Sequence, residues 1–138
     1  MSKKKLAYAG VAAVVVVAAL QLVPVDRSNP PVTAPLAAPP AVAAVLAASC
    51  ADCHSHATRW PWYSRVAPVS WLVAHDVEEA REHLNLSTWG SYPADKQAKL
   101  REEMGEEVED GDMPLRLYLL AHPESRLDDA ARQTLLAW

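Results

Sequence analysis

The sequence predicts an all-α protein, a small helical domain preceded by one transmembrane helix. Three observations carry that expectation. Apolar residues recur at helical spacing in four separate segments and settle into period-two alternation in none. Only four glycines and no phenylalanine occur in 138 residues, which argues against an all-β chain built on tight turns. Residues 6–23 carry no charge and follow Lys3, Lys4 and Lys5 directly. A chain of this length holds one domain, since domains run to roughly 100–150 residues, and a multidomain enzyme is excluded. A hydrophobic content of 51% is too high for a disordered protein.

The elements follow in order. LAYAGVAAVVVVAALQLV would span roughly 27 Å as a helix at 1.5 Å per residue, close to a bilayer core and longer than the apolar part of a cleaved leader. An uncleaved anchor is expected, with cleavage by signal peptidase as the alternative. The three lysines place the N-terminus inside, which puts the rest of the chain on the periplasmic face of a bacterial inner membrane. Residues 24–40, PVDRSNPPVTAPLAAPP, read as a semi-rigid extended linker. The folded domain is expected over residues 41–138.

Its first helix, from Ala41 to about Cys50, aligns Val42, Val45, Leu46 and Ser49 behind a proline suited to a first turn. A second starts near Pro68 and places Val69, Leu72, Val73, Val77, Ala80 and Leu84 on one stripe. A third, from about Ala94 to Asp110, carries Leu100, Met104 and Val108, with Gly111 as its terminator. The last aligns Leu127, Ala131, Leu135 and Trp138, with Asp128 or Ser125 as cap. Beyond Val23 there are ten basic and seventeen acidic residues. That balance disfavours nucleic acid or anionic lipid as a partner.

The only two cysteines fall in one motif, Cys50-Ala51-Asp52-Cys53-His54. C-x-x-C-H is the attachment pattern of c-type haem. Two thiols three residues apart on a helical turn reach the two vinyl groups along one haem edge, and the adjacent histidine then ligates the iron. Two other readings stand beside it. A thioredoxin-like redox pair would sit beside a βαβ pattern, which is missing here. A zinc site from Cys50, Cys53, His54 and His56 would crowd a tetrahedral ion, and no second C-x-x-C follows.

A second axial ligand is to be sought among Met113, Met104, His56, His75, His83 and His122. Met104 shares the stripe of Leu100 and Val108, which reads as core. Met113 lies 59 residues after His54, beyond Gly111 and before Pro114, so it projects from a loop. It is the expected distal ligand, with His75 as the alternative because it lies off the main stripe with Trp71 and Glu79. His83 reads as a packing histidine and His122 as a turn residue, while His56 is too near His54 to reach the far haem face. Met/His ligation raises the potential relative to two histidines.

In RWPWYSR, Trp60, Trp62 and Tyr63 surround a proline. They read as a wall along the haem edge, with Arg59 or Arg65 pairing a propionate, or alternatively as a satellite apolar cluster with exposed arginines. Glu102, Glu103, Glu106, Glu107, Glu109, Asp110 and Asp112 read as a solvated helix face, or as a docking surface for a basic partner.

Taken together, CADCHSHATRWPWYSRVAPVSW, HDVEEAREHLNLSTW, GDMPLRLYLLAHP and a closing helix ending at Trp138 resemble the small bacterial haem-binding-domain family. These are c-type-cytochrome-like monohaem units of the periplasm, and the resemblance runs from about Pro39 to Trp138. It implies a cytochrome-c-like helical domain around one covalent haem c, with Cys50 and Cys53 as attachment points, His54 as proximal and Met113 as distal ligand. Ala80 stands where that family has glycine. The resulting expectation is a membrane-anchored cytochrome that passes single electrons to a redox partner and is no enzyme by itself. The alternatives are a haem-based sensor or gas-binding module with a labile distal ligand, and an interaction domain without haem.

Overall fold

Residues 2–138 are described by a computed structural model. The chain forms α1 (Lys3–Leu20), α2 (Pro40–Ser49), α3 (Ala51–His54), α4 (Val69–His83), α5 (Ala94–Asp110), α6 (Arg116–Ala121) and α7 (Asp129–Leu136). Short 3-10 turns lie at Trp62–Arg65, Trp89–Ser91 and Pro123–Ser125. Among the described residues there is no strand, in keeping with the all-α reading. The four expected helices of the domain appear as α2, α4, α5 and α7.

The transmembrane helix does not hold, and the inner-membrane, single-pass localisation built on it falls with it. No helix among the described residues is long and apolar enough to cross a membrane. The physical reason lies at both ends of α1. Its first turn is Lys3, Lys4 and Lys5, so the uncharged part, residues 6–20, is about 22 Å long against a bilayer core of about 30 Å. At the other end helix stops at Leu20, and Gln21, counted into the apolar run, turns its side chain back to protein.

The chain packs as two units. The first comprises residues up to Ser28 together with Trp60–Asp76. Here the Gln21 amide pairs with both backbone groups of Ala67, accepting from its N–H at 2.9 Å and donating to its carbonyl at 3.3 Å. Arg27 donates to the carbonyl of Ser64, whose hydroxyl is buried and donates to Pro61. Trp62 and Tyr63 meet edge to face at 5.9 Å. The indole N–H groups of Trp60 and Trp71 are buried and find no acceptor among the described residues, each at a cost of about 1–3 kcal/mol.

The second unit, Asn29–Arg59 with Val77–Trp138, carries the main core. Val42 and Leu46 of α2, Val108 of α5, Leu135 of α7, Leu86 and Leu127 form one buried cluster. Met104, Ala131 and Trp138 pack against it, as their stripes require. Helix α7 lies against α2 and α5, and Asp128 caps it by accepting from the Ala131 N–H at 2.7 Å. Gly111 ends α5 in the left-handed conformation at φ 78°, which favours glycine. Of the predicted α4 stripe Val77 is buried, whereas Val69 and Leu72, which fall in the first unit, are exposed.

The proline-rich segment is extended, as its composition requires, yet residues 29–38 are docked. Thr33 and Ala34 donate backbone N–H groups to the Ser87 carbonyl, Leu36 donates to Leu86, and Gly90 donates to Ala34. Leu36 and Ala38 cover the core cluster. A Cβ at Gly90 would sit 3.3 Å from that of Ala34, so glycine permits the close approach.

Candidate functional site

The cysteine motif sits at a break between two helices. Helix α2 ends at Ser49, Cys50 leaves helical geometry at φ −123°, and α3 then makes a single turn. The Cys50 carbonyl accepts from the N–H groups of both Cys53 and His54, so the motif closes on itself. Both cysteines are unoxidised and half-buried, and Cys50 packs against the core. Burial, with the neighbouring Cys53, pushes the Cys50 thiol up to about 12. Such a thiol stays protonated, unlike the acidic thiol of a redox pair. Among the described residues no group of three or more His, Cys, Asp or Glu could hold a metal ion, so the zinc reading finds no support.

His54 is oriented by the helix opposite. Its Nδ1 lies 3.1 Å from the Ala80 carbonyl and 3.0 Å from that of Leu84, at the end of α4. Carbonyl oxygens only accept, so Nδ1 carries the proton and Nε2 carries the lone pair. No hydrogen bond among the described residues engages Nε2. Burial holds the pKa of this imidazole below its ordinary value, against the opposing pull of the two carbonyls. A ring fixed through one nitrogen with the other neutral and open is the state a metal-ligating histidine requires.

Asp52, between the cysteines, is the centre of a polar network that the sequence reading overlooked. Arg59 donates to it three times, from Nε at 3.1 Å, from Nη2 at 2.9 Å and from its backbone N–H at 3.2 Å. Tyr118 of α6 adds a fourth donor, its hydroxyl lying 3.0 Å from Oδ2. Ser125 lies 3.3 Å from that hydroxyl and donates to the Ala48 carbonyl in α2. Burial pushes the Tyr118 phenol up to about 12, so it donates throughout the physiological range. The His122 ring stacks on Tyr118 at 4.4 Å.

Burial alone would raise the pKa of Asp52, but the hydrogen bonds from Arg59 and Tyr118 outweigh it and hold the carboxyl below its ordinary 3.8. The ionised network therefore stabilises the fold fully above about pH 4, and that contribution is lost as pH falls below 3.8 through the folded value. Asp52→Asn should flatten this acid limb of the stability curve, measured by urea denaturation between pH 3 and 6. An unchanged limb would mean that the network contributes nothing. The contribution is modest, because Arg59 is 72% exposed and solvent screens its charge.

The other candidates are dispersed. His56 is fully engaged, Nδ1 with the Pro31 carbonyl at 2.9 Å and Nε2 with the Asn85 amide at 2.8 Å. Met104 belongs to the core. Met113 is half-buried, outside the core cluster, and its backbone N–H closes the end of α5 on Glu107 at 3.1 Å. His75 is exposed and falls in the first unit, as do Trp60, Trp62 and Tyr63, of which Trp62 is 77% exposed. The acidic residues of α5 are mostly solvated, and Glu103 pairs with Lys99 at 3.0 Å.

A family model described as haem-binding domain matches residues 15–138. The chain belongs to this haem-binding-domain family. The match starts inside α1, so the family domain takes in the proline-rich segment and nearly all of the chain. This corrects the expected layout of a membrane helix ahead of a smaller domain. Among curated proteins and solved structures none matches the chain. The residues of the second unit suit the haem that the family binds, since they offer one open imidazole nitrogen beside two half-buried thiols on one helical turn.

Proposed function

We infer that this haem-binding protein is a monohaem c-type cytochrome that passes single electrons and has no catalytic activity of its own. The observation that carries this reading is the state of His54, protonated at Nδ1 by two backbone acceptors and open at Nε2, on the same turn as Cys50 and Cys53. Cys50 and Cys53 would hold the haem as thioethers, each formed by addition of the S–H across one vinyl group, which would need no oxidant. Haem bound there would supply a one-electron iron couple. His54, held by the Ala80 and Leu84 carbonyls, would ligate the iron. Asp52, Arg59 and Tyr118 fix the turn that carries the thiols. Met113, in the loop between α5 and α6, would be the second iron ligand.

The test is the absorption spectrum of protein matured with the c-type attachment machinery, oxidised and reduced, before and after CO. A low-spin spectrum with a far-red sulfur-to-iron band that CO leaves in place is the expected result. A high-spin spectrum that responds to CO would replace electron transfer with ligand sensing. Met113→Ala should abolish the far-red band, lower the potential and admit CO. If band and potential persist in that variant, another sulfur ligates the iron and Met104→Ala is the next substitution, whereas a wild-type low-spin spectrum without the band directs the test to His75→Ala.

A further inference from the structure

The charged pair at the attachment turn is divided between protein and water. Asp52 lies between the two cysteines and two residues before His54, so its Cα is no more than about 7 Å from that of His54. Each of its oxygens receives two donors. Oδ1 takes the Nε and backbone N–H of Arg59, and Oδ2 takes the Nη2 of Arg59 and the Tyr118 hydroxyl. Donors at both oxygens leave no acceptor for a carboxyl proton, so the group is a carboxylate. Its side chain is 14% exposed, whereas that of Arg59 is 72% exposed. Arg59 also feels the charge of Glu124, a second carboxylate that is largely solvated.

Opposite charges this close would cancel in a uniform medium. Here they do not, because water screens the guanidinium far more than the sheltered carboxylate. The inside of the turn is therefore left with an excess of negative charge beside the histidine. A metal centre that gives up one electron gains one positive charge. A sheltered carboxylate near it favours the oxidised form and lowers the potential, and a cation does the reverse.

We propose that Asp52 and Arg59 set the reduction potential of haem held by this turn with opposite signs, Asp52 lowering it from a sheltered position and Arg59 partly offsetting it from a solvated one. This rests on the electron-transfer reading above, and it gives the pair a role beyond bracing the turn. A pair that only braced the turn would move the potential in one direction whichever partner was removed.

The test is the midpoint potential of the matured, haem-loaded protein, read by spectroelectrochemistry at neutral pH and at low and high salt, with acid-acetone extraction of the same samples. Asp52→Asn should raise the midpoint by about 59 mV, a tenfold shift in a one-electron equilibrium, and keep most of that shift in about 1 M salt. Arg59→Gln should lower it by about 28 mV, a threefold shift, at low salt and by much less at high salt. Arg59→Lys restores the charge without the planar fork and should return the midpoint close to that of the wild type. Tyr118→Phe removes a donor and no charge, and should move the midpoint less than about twofold, or 18 mV. The low-spin spectrum should be the same in all four variants.

Shifts of one sign in Asp52→Asn and Arg59→Gln, or a tenfold shift in Tyr118→Phe, would reveal a loosened turn and overturn the proposal. So would an unmoved midpoint in Asp52→Asn, or an altered spectrum, which would assign the pair to holding the iron ligands. Covalent low-spin haem with unmoved midpoints sinks the charge pair alone and leaves the electron-transfer reading standing. Haem that extracts from the wild type or binds CO sinks that reading instead, and the signs of the two shifts still decide the role of the pair. A wild type that takes up no haem overturns both.

Discussion

Cys50→Ser with Cys53→Ser should leave no haem on the polypeptide after acid-acetone extraction, while the wild type retains all of it. The effect is all-or-none because these are the only two cysteines in the chain. Both lie on the turn closed by the Cys50 carbonyl. Either single variant should keep haem through one thioether, with a reduced pyridine haemochrome band shifted to longer wavelength by the vinyl group that remains. Haem that stays bound through extraction in the double variant would refute thioether attachment. Haem lost on extraction from wild type matured with the attachment machinery would make the site non-covalent.

Arg81→Ala should destabilise the domain by about 3 kcal/mol. Arg81 lies in the last turns of α4 and ties three segments together. Its Nε donates to the Ser55 carbonyl, and Nη2 donates to Thr58 Oγ1 and to Asn29 Oδ1, each at 2.9 Å. Ser55 and Thr58 are buried, so truncation would strand polar atoms that water cannot reach easily. Arg81→Lys should recover only part of the loss, because an ammonium lacks the planar fork that spans three acceptors. Urea denaturation of the haem-loaded protein measures both. A loss under about 1 kcal/mol in the alanine variant would show that the clamp is redundant.

The helices of the domain were legible in the sequence because each is written locally. Stripes such as Leu100, Met104 and Val108, a capping Asp128 and a terminating Gly111 need no knowledge of the remainder of the chain. What was missed depends on partners distant in sequence. Asp52 announces nothing until Tyr118, 66 residues on, is brought to it. Helix α6 has six residues, too few to show a period, and two of its leucines face outward, against the rule by which stripes are read. The proline-rich segment was read from composition as a linker, although Leu36 and Ala38 within it pack against the core. The apolar N-terminal run was counted to Val23 by hydropathy alone, and the helix that forms there is shorter and headed by lysines.

The docked arm sets an order of events during synthesis. Asn29 waits for Arg81, 52 residues later in the chain, and Thr33, Ala34 and Leu36 wait for residues 86 and 87. At roughly 5–20 residues per second the arm has emerged some seconds before the segment that receives it. Cys50 and Cys53 are made within that interval, ahead of the α4 carbonyls that orient His54 and of the α6 tyrosine that holds Asp52. The thiols thus pass through a period on an open chain before the structure that half-buries them can close.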